Sequence, residues 1–412
     1  MRRAVITGLG IVGPTGLGIE SFWRAVLDGP SAIRPISRFD VTSYSSQIAG
    51  EVPSRDYENL LEPRKIRTTT HVTQLALAAT ELAIQDAKLS VATEDLARVG
   101  VCVGTAVGGW RDAESQHGIL IERGARRVNP FIVNATPNHS TGAEVAQRLG
   151  AQGAHLTIST GCPSSLQALG CGASLIETGE LDVCIAGGAE SPIIPTILAG
   201  MGRTQELCSI NDQPPTASRP FDRFHSGLVL SEGSCILVLE AEERAARRAV
   251  LPYAEVLGSA SSCDANGLFG FDPTGGPGAR AIYQLLLRTN LSPTDIDYVC
   301  AHANSSPLFD RKESMIIKSV FNHHVRRLPV SSIKGVLGHP FGASGAFQTA
   351  AASLAIRHQT VPPTHNLDIP APDCTLDCLP RHPFHRRVKN ALITSYGYGG
   401  LNSYLIVKQP QL

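Results

Sequence analysis

Residues 155–176, His-Leu-Thr-Ile-Ser-Thr-Gly-Cys-Pro-Ser-Ser-Leu-Gln-Ala-Leu-Gly-Cys-Gly-Ala-Ser-Leu-Ile, leave the chain few folds to choose from. A short β-branched run breaks at Gly161. From Ser164 the apolar residues Leu166, Leu169, Ala173 and Ile176 recur at spacings of three, four and three, which is one face of a helix. The implied order is strand, sharp turn, helix, with Cys162 in the turn. There the free N–H groups and the positive end of the helix dipole favour a thiolate and can hold an oxyanion. Cys162 is therefore a candidate nucleophile. The plainer alternative is a small buried thiol, since the chain has ten cysteines.

Strand and helix alternate along the rest of the chain, which argues for α/β construction. Strands are expected at 4–10, 99–105, 181–186, 228–240, 254–259, 296–302, 328–333 and 391–395. Helices are expected at 19–27, 70–89, 279–288, 311–321 and 342–359. The charged run Glu240-Ala-Glu-Glu-Arg-Ala-Ala-Arg-Arg248 marks a seam, giving halves at 1–250 and 251–412 that repeat one architecture. The strand at 181–186 closes a parallel strand–helix–strand unit with the Cys162 helix. Gly8-Leu-Gly-Ile-Val-Gly13 formally matches a dinucleotide fingerprint. Pro14, Gly16 and Gly18 prolong the turn, however, and no second strand ending in an acid follows on schedule.

Charged residues make up 17% of the chain, below the about 25% of average soluble proteins, and suit a compact body or a large subunit interface. Thirty-six basic and thirty-six acidic residues cancel, so no overall field recruits nucleic acid or membrane. No apolar run approaches the roughly 18 residues of a membrane span. Glycines and Pro14 interrupt the apolar stretch after Met1-Arg-Arg3, so it does not read as a signal peptide and a cytoplasmic protein is expected. The cysteines show no framework spacing, which fits reduced thiols. Cys374, Cys378, His382 and His385 match no common zinc spacing, and no metal is expected.

Three further stretches carry polar residues where strands run out into turns: Val299-Cys-Ala-His302-Ala-Asn-Ser-Ser-Pro307 with Asp310 and Glu313, Ser331-Ser-Ile-Lys334-Gly-Val-Leu-Gly-His339-Pro-Phe-Gly-Ala-Ser-Gly345, and Thr394-Ser-Tyr-Gly-Tyr398-Gly-Gly-Leu-Asn402. In open α/β sheets such ends converge on sites. With Arg219-Pro-Phe-Asp222 and the Cys162 turn, these motifs cover essentially the whole length. The chain resembles the β-ketoacyl-acyl-carrier-protein synthases of the thiolase superfamily. The resemblance implies a five-layered α-β-α-β-α body of two similar halves, working as a dimer.

It also implies a decarboxylative condensation. Cys162 matches the acylated nucleophile and His302 and His339 the two catalytic histidines. Lys334 and Glu313 match an active-site lysine and a buried carboxylate in an ionic network that orients those histidines. On chemical grounds two imidazole N–H groups stabilise the enolate left by carbon dioxide loss, and the backbone N–H groups of Cys162 and Tyr398 hold the other oxyanion. No metal, nucleotide or flavin is implied; phosphopantetheine arrives on the acyl carrier protein. Without the motifs, Lys334 and Glu313 would read as solvated charges and the two histidines as core residues. His323 and His324 read as surface residues.

Departures from the family pattern bear on substrate. Asn304 and Ser306 replace two threonines that commonly bind pantetheine amides, Tyr398 stands where a gating Phe is usual, and Leu228 replaces a Phe by the pocket. Trp110, after the glycines at 104–109, reads as core filling or, more sharply, as a wall of the acyl pocket. Arg64, Lys65, Arg67, Arg126 and Arg127 fall where the family docks its acidic carrier; Glu206 stands near a place where relatives carry Arg, with Arg203 as a nearby replacement. Residues 36–40, 189–194 and 361–367 look most like type II polyketide ketosynthases. These pair with themselves or with a chain-length-factor-like sister that lacks the cysteine. The rivals are that non-catalytic sister, a housekeeping fatty-acid synthase and a thiolase, whose second cysteine is missing from 396–400.

Overall fold

The computed structural model describes residues 2–53, 55–374, 376 and 379–411; Cys378 of the Cys374–His385 pattern lies outside them. Ten strands build its main sheet: β1 (Ala4–Gly13), β2 (Val99–Gly104), β3 (His155–Ile158), β4 (Val183–Glu190), β5 (Gly233–Ala241), β6 (Ala254–Cys263), β7 (Tyr298–Cys300), β8 (Val330–Ser331), β9 (Asn390–Gly397) and β10 (Leu401–Lys408). Their order is β8-β7-β9-β10-β6-β1-β5-β4-β2-β3, with the short strand Gly16–Leu17 folded back on β1. Reading outward from the centre gives β1, β5, β4, β2, β3 one way and β6, β10, β9, β7, β8 the other. The directions match as well. β2 runs parallel to β3 and β4 while β5 is antiparallel to β1 and β4; β7 runs parallel to β8 and β9 while β10 is antiparallel to β6 and β9. The two sets meet edge to edge through three residue pairs, Ala4–Val256, Val5–Glu255 and Ile6–Ala254.

Eight of the described helices have eleven or more residues: α1 (Gly18–Asp28), α2 (His71–Asp86), α3 (Trp110–Arg123), α4 (His139–Leu149), α5 (Ser164–Glu177), α6 (Gly276–Arg288), α7 (Pro307–Phe321) and α8 (Ser344–His358). Strand alternation assigns the layers. Val99, Val101 and Val103 of β2 pack outward with α2 and α4, while Cys102 packs inward with α5 and α8. In the other half Val299 of β7 faces α6 and α7, while Tyr298 and Cys300 face the same central helices. The result is α-β-α-β-α. The central helices sit close because small residues let them: a Cβ on Gly345 would lie 2.6 Å from the Cβ of Leu166.

The glycines of β1 have the same use. A Cβ on Gly10 would come within 1.8 Å of the Ala79 carbonyl, and one on Gly8 within 2.4 Å of that of Ala83. This pattern serves strand-to-helix contact with α2. Of these labelled elements three were not expected from sequence. β10 is buried on both faces, so it lacks alternation. α3 and α4 are mostly half-exposed in the single chain, and α3 begins at Trp110, which the sequence reading left in a turn. β3 and β4 do not touch; β2 lies between them, so the expected strand–helix–strand unit crosses over one strand. Among the described residues no helix is long and apolar enough to cross a membrane. No group of three or more His, Cys, Asp or Glu among them is arranged to hold a metal.

Candidate active site

Both central helices start at the same end of the body, and each start carries one half of the chemistry. Before α5 the chain turns at Gly161, whose φ of +67° is left-handed and suits glycine. Ser164 Oγ locks the turn, accepting from Thr160 N at 2.9 Å and donating to the Gly161 carbonyl at 2.5 Å. Cys162 is buried there, and its Sγ lies 3.1 Å from Nε2 of His339, which precedes α8. Burial pushes the thiol up to about 12, against the opposing charge of Lys334. Sγ and the imidazole nitrogen are within hydrogen-bonding distance.

His302 follows β7 and stands nearly perpendicular to His339, with ring centroids 5.2 Å apart. Phe309 and Tyr396 pack on it, and Phe341 packs on His339. Among the described residues neither ring nitrogen of His302 has a hydrogen-bond partner, and Nδ1 of His339 has none. Burial first, then the Lys334 charge, holds both imidazoles well below their ordinary value of 6.5. A consequence follows for stability. The unfolded chain takes up protons below about pH 6.5 that these folded imidazoles refuse, so their contribution is present above 6.5 and is lost as pH falls. Melting should therefore drop from pH 7 to pH 5, and the drop should shrink in a His302→Asn, His339→Asn double variant; an unchanged slope would contradict this.

Glu313 of α7 and Lys334 grip the backbone of His302. The carboxylate accepts from His302 N at 2.9 Å, from Ala303 N at 2.7 Å and from the Thr394 hydroxyl. Lys334 Nζ donates to the His302 carbonyl and to Gln348 Oε1 at 3.4 Å. Gln348 in turn donates to the carbonyls of Cys300, Ala301 and Thr394. The ionic network expected to orient the histidines is thus not a direct ion pair among the described residues: both groups reach His302 through its peptide. Burial raises the Glu313 carboxyl and lowers the Lys334 ammonium. Sequence reasoning singled out the stretch beginning at Thr394 without giving that residue a role, and it missed Gln348, which lies in no motif of reactive residues.

Gly397 brings the last strand turn against Cys162. A Cβ there would meet Pro163 Cδ at 2.9 Å and lie 3.5 Å from Cys162 N, so the peptide leading to Tyr398 runs beside that of Cys162. A mostly apolar cavity of about 560 Å³ opens from Cys162, walled by Trp110, Ile197, Met201, Phe269, Phe341 and Tyr398. Trp110 is 49% exposed, so the core-filling reading is set aside. Leu228 packs in the apolar cluster that contains Cys162. Glu190, which the sequence reading passed over, fixes two loops of this chamber by accepting from the N–H groups of Ala106, Val107 and Gly342.

Of the basic residues, Arg64, Arg67, Arg126 and Arg127 are exposed, while Lys65 is paired with Glu144. A cleft of about 420 Å³ lined by Arg64, Lys65 and Phe131 lies beside the first of their two segments. His323 is exposed, but His324 is half-buried with Nε2 3.0 Å from the Ile296 carbonyl, which corrects its surface reading. All nine described cysteines are free thiols.

Comparison with known proteins meets this geometry. Residues 1–245 match the family model for the β-ketoacyl synthase N-terminal domain, and residues 253–368 that for the C-terminal domain. The tetracenomycin polyketide synthase ketoacyl synthase alpha subunit of Streptomyces glaucescens is 37% identical, over 100% of this chain and 98% of its own. A 3-oxoacyl-(acyl-carrier-protein) synthase 2 of Coxiella burnetii is 35% identical, over 99% of each. Among solved structures, a type II polyketide acyl-carrier protein in complex with its ketosynthase bound to the hexaketide matches with TM-score 0.90 and 32% identity, over 99% of this chain and 100% of that one. The ishigamide ketosynthase/chain length factor matches with TM-score 0.92 and 29% identity, over the full length of both. With a repeated half, a buried Cys–His contact and a second histidine facing it, the chain belongs to the β-ketoacyl synthase family.

Proposed function

We propose that this chain is the catalytic ketosynthase of a type II polyketide or specialised fatty-acid system, joining a malonyl extender to an acyl chain held on Cys162. The observation that carries the reading is the 3.1 Å contact from Cys162 Sγ to His339 Nε2 beside a His302 ring whose nitrogens are both uncommitted. In the first step His339 takes the thiol proton, the sulfur attacks the incoming thioester, and the proton leaves on the departing carrier thiol. In the second, the malonyl thioester loses carbon dioxide. The imidazole N–H groups hold the resulting enolate, whose carbon attacks the acyl carbonyl; the C–S bond to Cys162 breaks and the thiolate regains a proton. The N–H groups of Cys162 and Tyr398 hold the oxyanion of each tetrahedral intermediate. The two halves at 1–250 and 251–412 contribute the nucleophile and the histidines respectively, and no bound cofactor takes part. Incubating the protein with acyl- and malonyl-carrier protein should give a β-ketoacyl product two carbons longer; no such product from any acyl length would contradict the proposal.

The acyl carrier docks at Arg64, Lys65, Arg67, Arg126 and Arg127, with Lys65 weakened by its pairing to Glu144. The partner subunit, a second copy or a chain-length-factor-like sister, meets the edge of β3, where Leu156 is exposed with Ile121 and Val133. Presence of Cys162, His302 and His339 favours the catalytic subunit over the sister itself. Trp110 closes the acyl cavity. Trp110→Ala should lengthen the main product by at least one two-carbon unit, read by mass spectrometry, and unchanged length would remove Trp110 from the wall.

A further inference from the structure

A separate cavity of about 440 Å³ is lined by Arg38, Arg55, Tyr57, Ile66, His71 and Arg111, none of which serves the reaction. The carboxylates around it are committed. Fully buried Glu232 takes the Arg38 guanidinium on both oxygens, lies 3.1 Å from His71 Nε2 and accepts from Val52 N at 2.9 Å. Glu51 accepts from the N–H and hydroxyl of Ser37 at 3.2 and 2.7 Å. Asp112 accepts from His71 N at 3.2 Å, and Glu58 lies 3.7 Å from the Arg55 guanidinium. The neutral groups are paired as well. His71 Nδ1 is 3.1 Å from the Tyr57 hydroxyl, and Gln74 donates to the carbonyls of Ile66 and Thr69. Arg111 is the exception. Its Nη1 is buried without a hydrogen-bond partner, and no carboxylate among the described residues pairs with it.

A guanidinium does not shed its charge, so a buried nitrogen left unpaired is costly and an anion of matching shape removes the cost. Burial, and after it the nearby Arg38 charge, act against the Arg111 cation. With Glu51, Glu58, Asp112 and Glu232 already at hand, the cavity has room for one further negative charge rather than two. A flat guanidinium fork matches a carboxylate. We propose that this cavity binds a small monocarboxylate, whose oxygens take the Arg111 fork while a short apolar chain lies against Val52 and Ile66. Arg111 shares the first turn of α3 with Trp110, so the site adjoins a wall of the acyl cavity. The inference stands independently of the condensing function.

The test titrates sodium butyrate into the full-length protein at constant ionic strength, reading binding by ligand-detected NMR and stability by melting. The wild type should bind butyrate saturably, with a Kd in the millimolar range, and melt higher in its presence. Arg111→Met keeps most of the stem without the charge. It should bind butyrate at least about tenfold more weakly and, with no ligand added, melt no lower than wild type, because the unpaired charge is gone. Arg111→Lys keeps the charge but loses the fork, and its affinity should fall between the two. A wild type that does not bind butyrate, equal binding by wild type and Arg111→Met, or tighter binding of inorganic phosphate than of butyrate would overturn the site. So would a ligand-free Arg111→Met protein that melts several degrees lower, since the guanidinium would then be a structural support.

Discussion

Cys162→Ala protein is expected to accept no acyl group from a thioester donor and to form β-ketoacyl product at least about 10³-fold more slowly than wild type. Loss of malonyl carbon dioxide should continue, because that step falls to the histidines and the sulfur takes no part in it. The fold should tolerate the change. Removing one sulfur from a site held by the Gly161 turn and Ser164 leaves a small void, which costs about 1 kcal/mol and a few degrees of melting temperature. Acylation at an undiminished rate, or a label on another residue, would contradict the assignment. The buried thiols elsewhere make this a fair contest, since Cys102, Cys184, Cys235 and Cys300 are equally reduced but lie inside the packed layers.

His302→Ala should separate the two steps. Its ring nitrogens have no hydrogen-bond partner among the described residues, so acyl transfer should stay within a few-fold of wild type. Condensation should fall by about 10²- to 10³-fold, the loss expected when one preorganised donor to a developing oxyanion is removed. His339→Ala should slow both steps, because that ring touches the sulfur. Rapid-quench measurement of the acyl-enzyme burst against the later β-ketoacyl product distinguishes the cases, with His302→Gln as a variant that fills the cavity. Equal loss of burst and product in His302→Ala would contradict this division of labour.

Much of the arrangement was legible in the residues. The break of a β-branched run at Gly161 followed by a helical stripe located the nucleophile turn. The polar ends at His302, His339 and Tyr398 showed that several strand ends carry chemistry, though only three-dimensional structure gives the 3.1 Å contact between residues 177 positions apart. Less legible were the supports. The family resemblance placed Glu313 and Lys334 in a network orienting the histidines, but that both hold the His302 peptide depends on where α7 and the 334 turn pass, which local sequence does not encode. β10 escaped because burial on both faces removes the alternation that marks a half-buried strand. α3 escaped because its uncovered face in the single chain exposes Leu120 and Ile121 where an amphipathic pattern would place polar groups. Glu206 was read as a flaw in a basic patch, and its contact with Ser306 places it instead beside the reaction chamber.

The most direct test of the central claim is intact-protein mass spectrometry of wild type and Cys162→Ala after exposure to an acyl-carrier thioester, followed by addition of malonyl-carrier protein. The account predicts one acyl adduct on the wild type, none on the variant, and disappearance of the adduct on malonyl addition as a β-ketoacyl-carrier product two carbons longer appears. An adduct that forms without Cys162, or one that persists when malonyl-carrier protein is supplied, would contradict it.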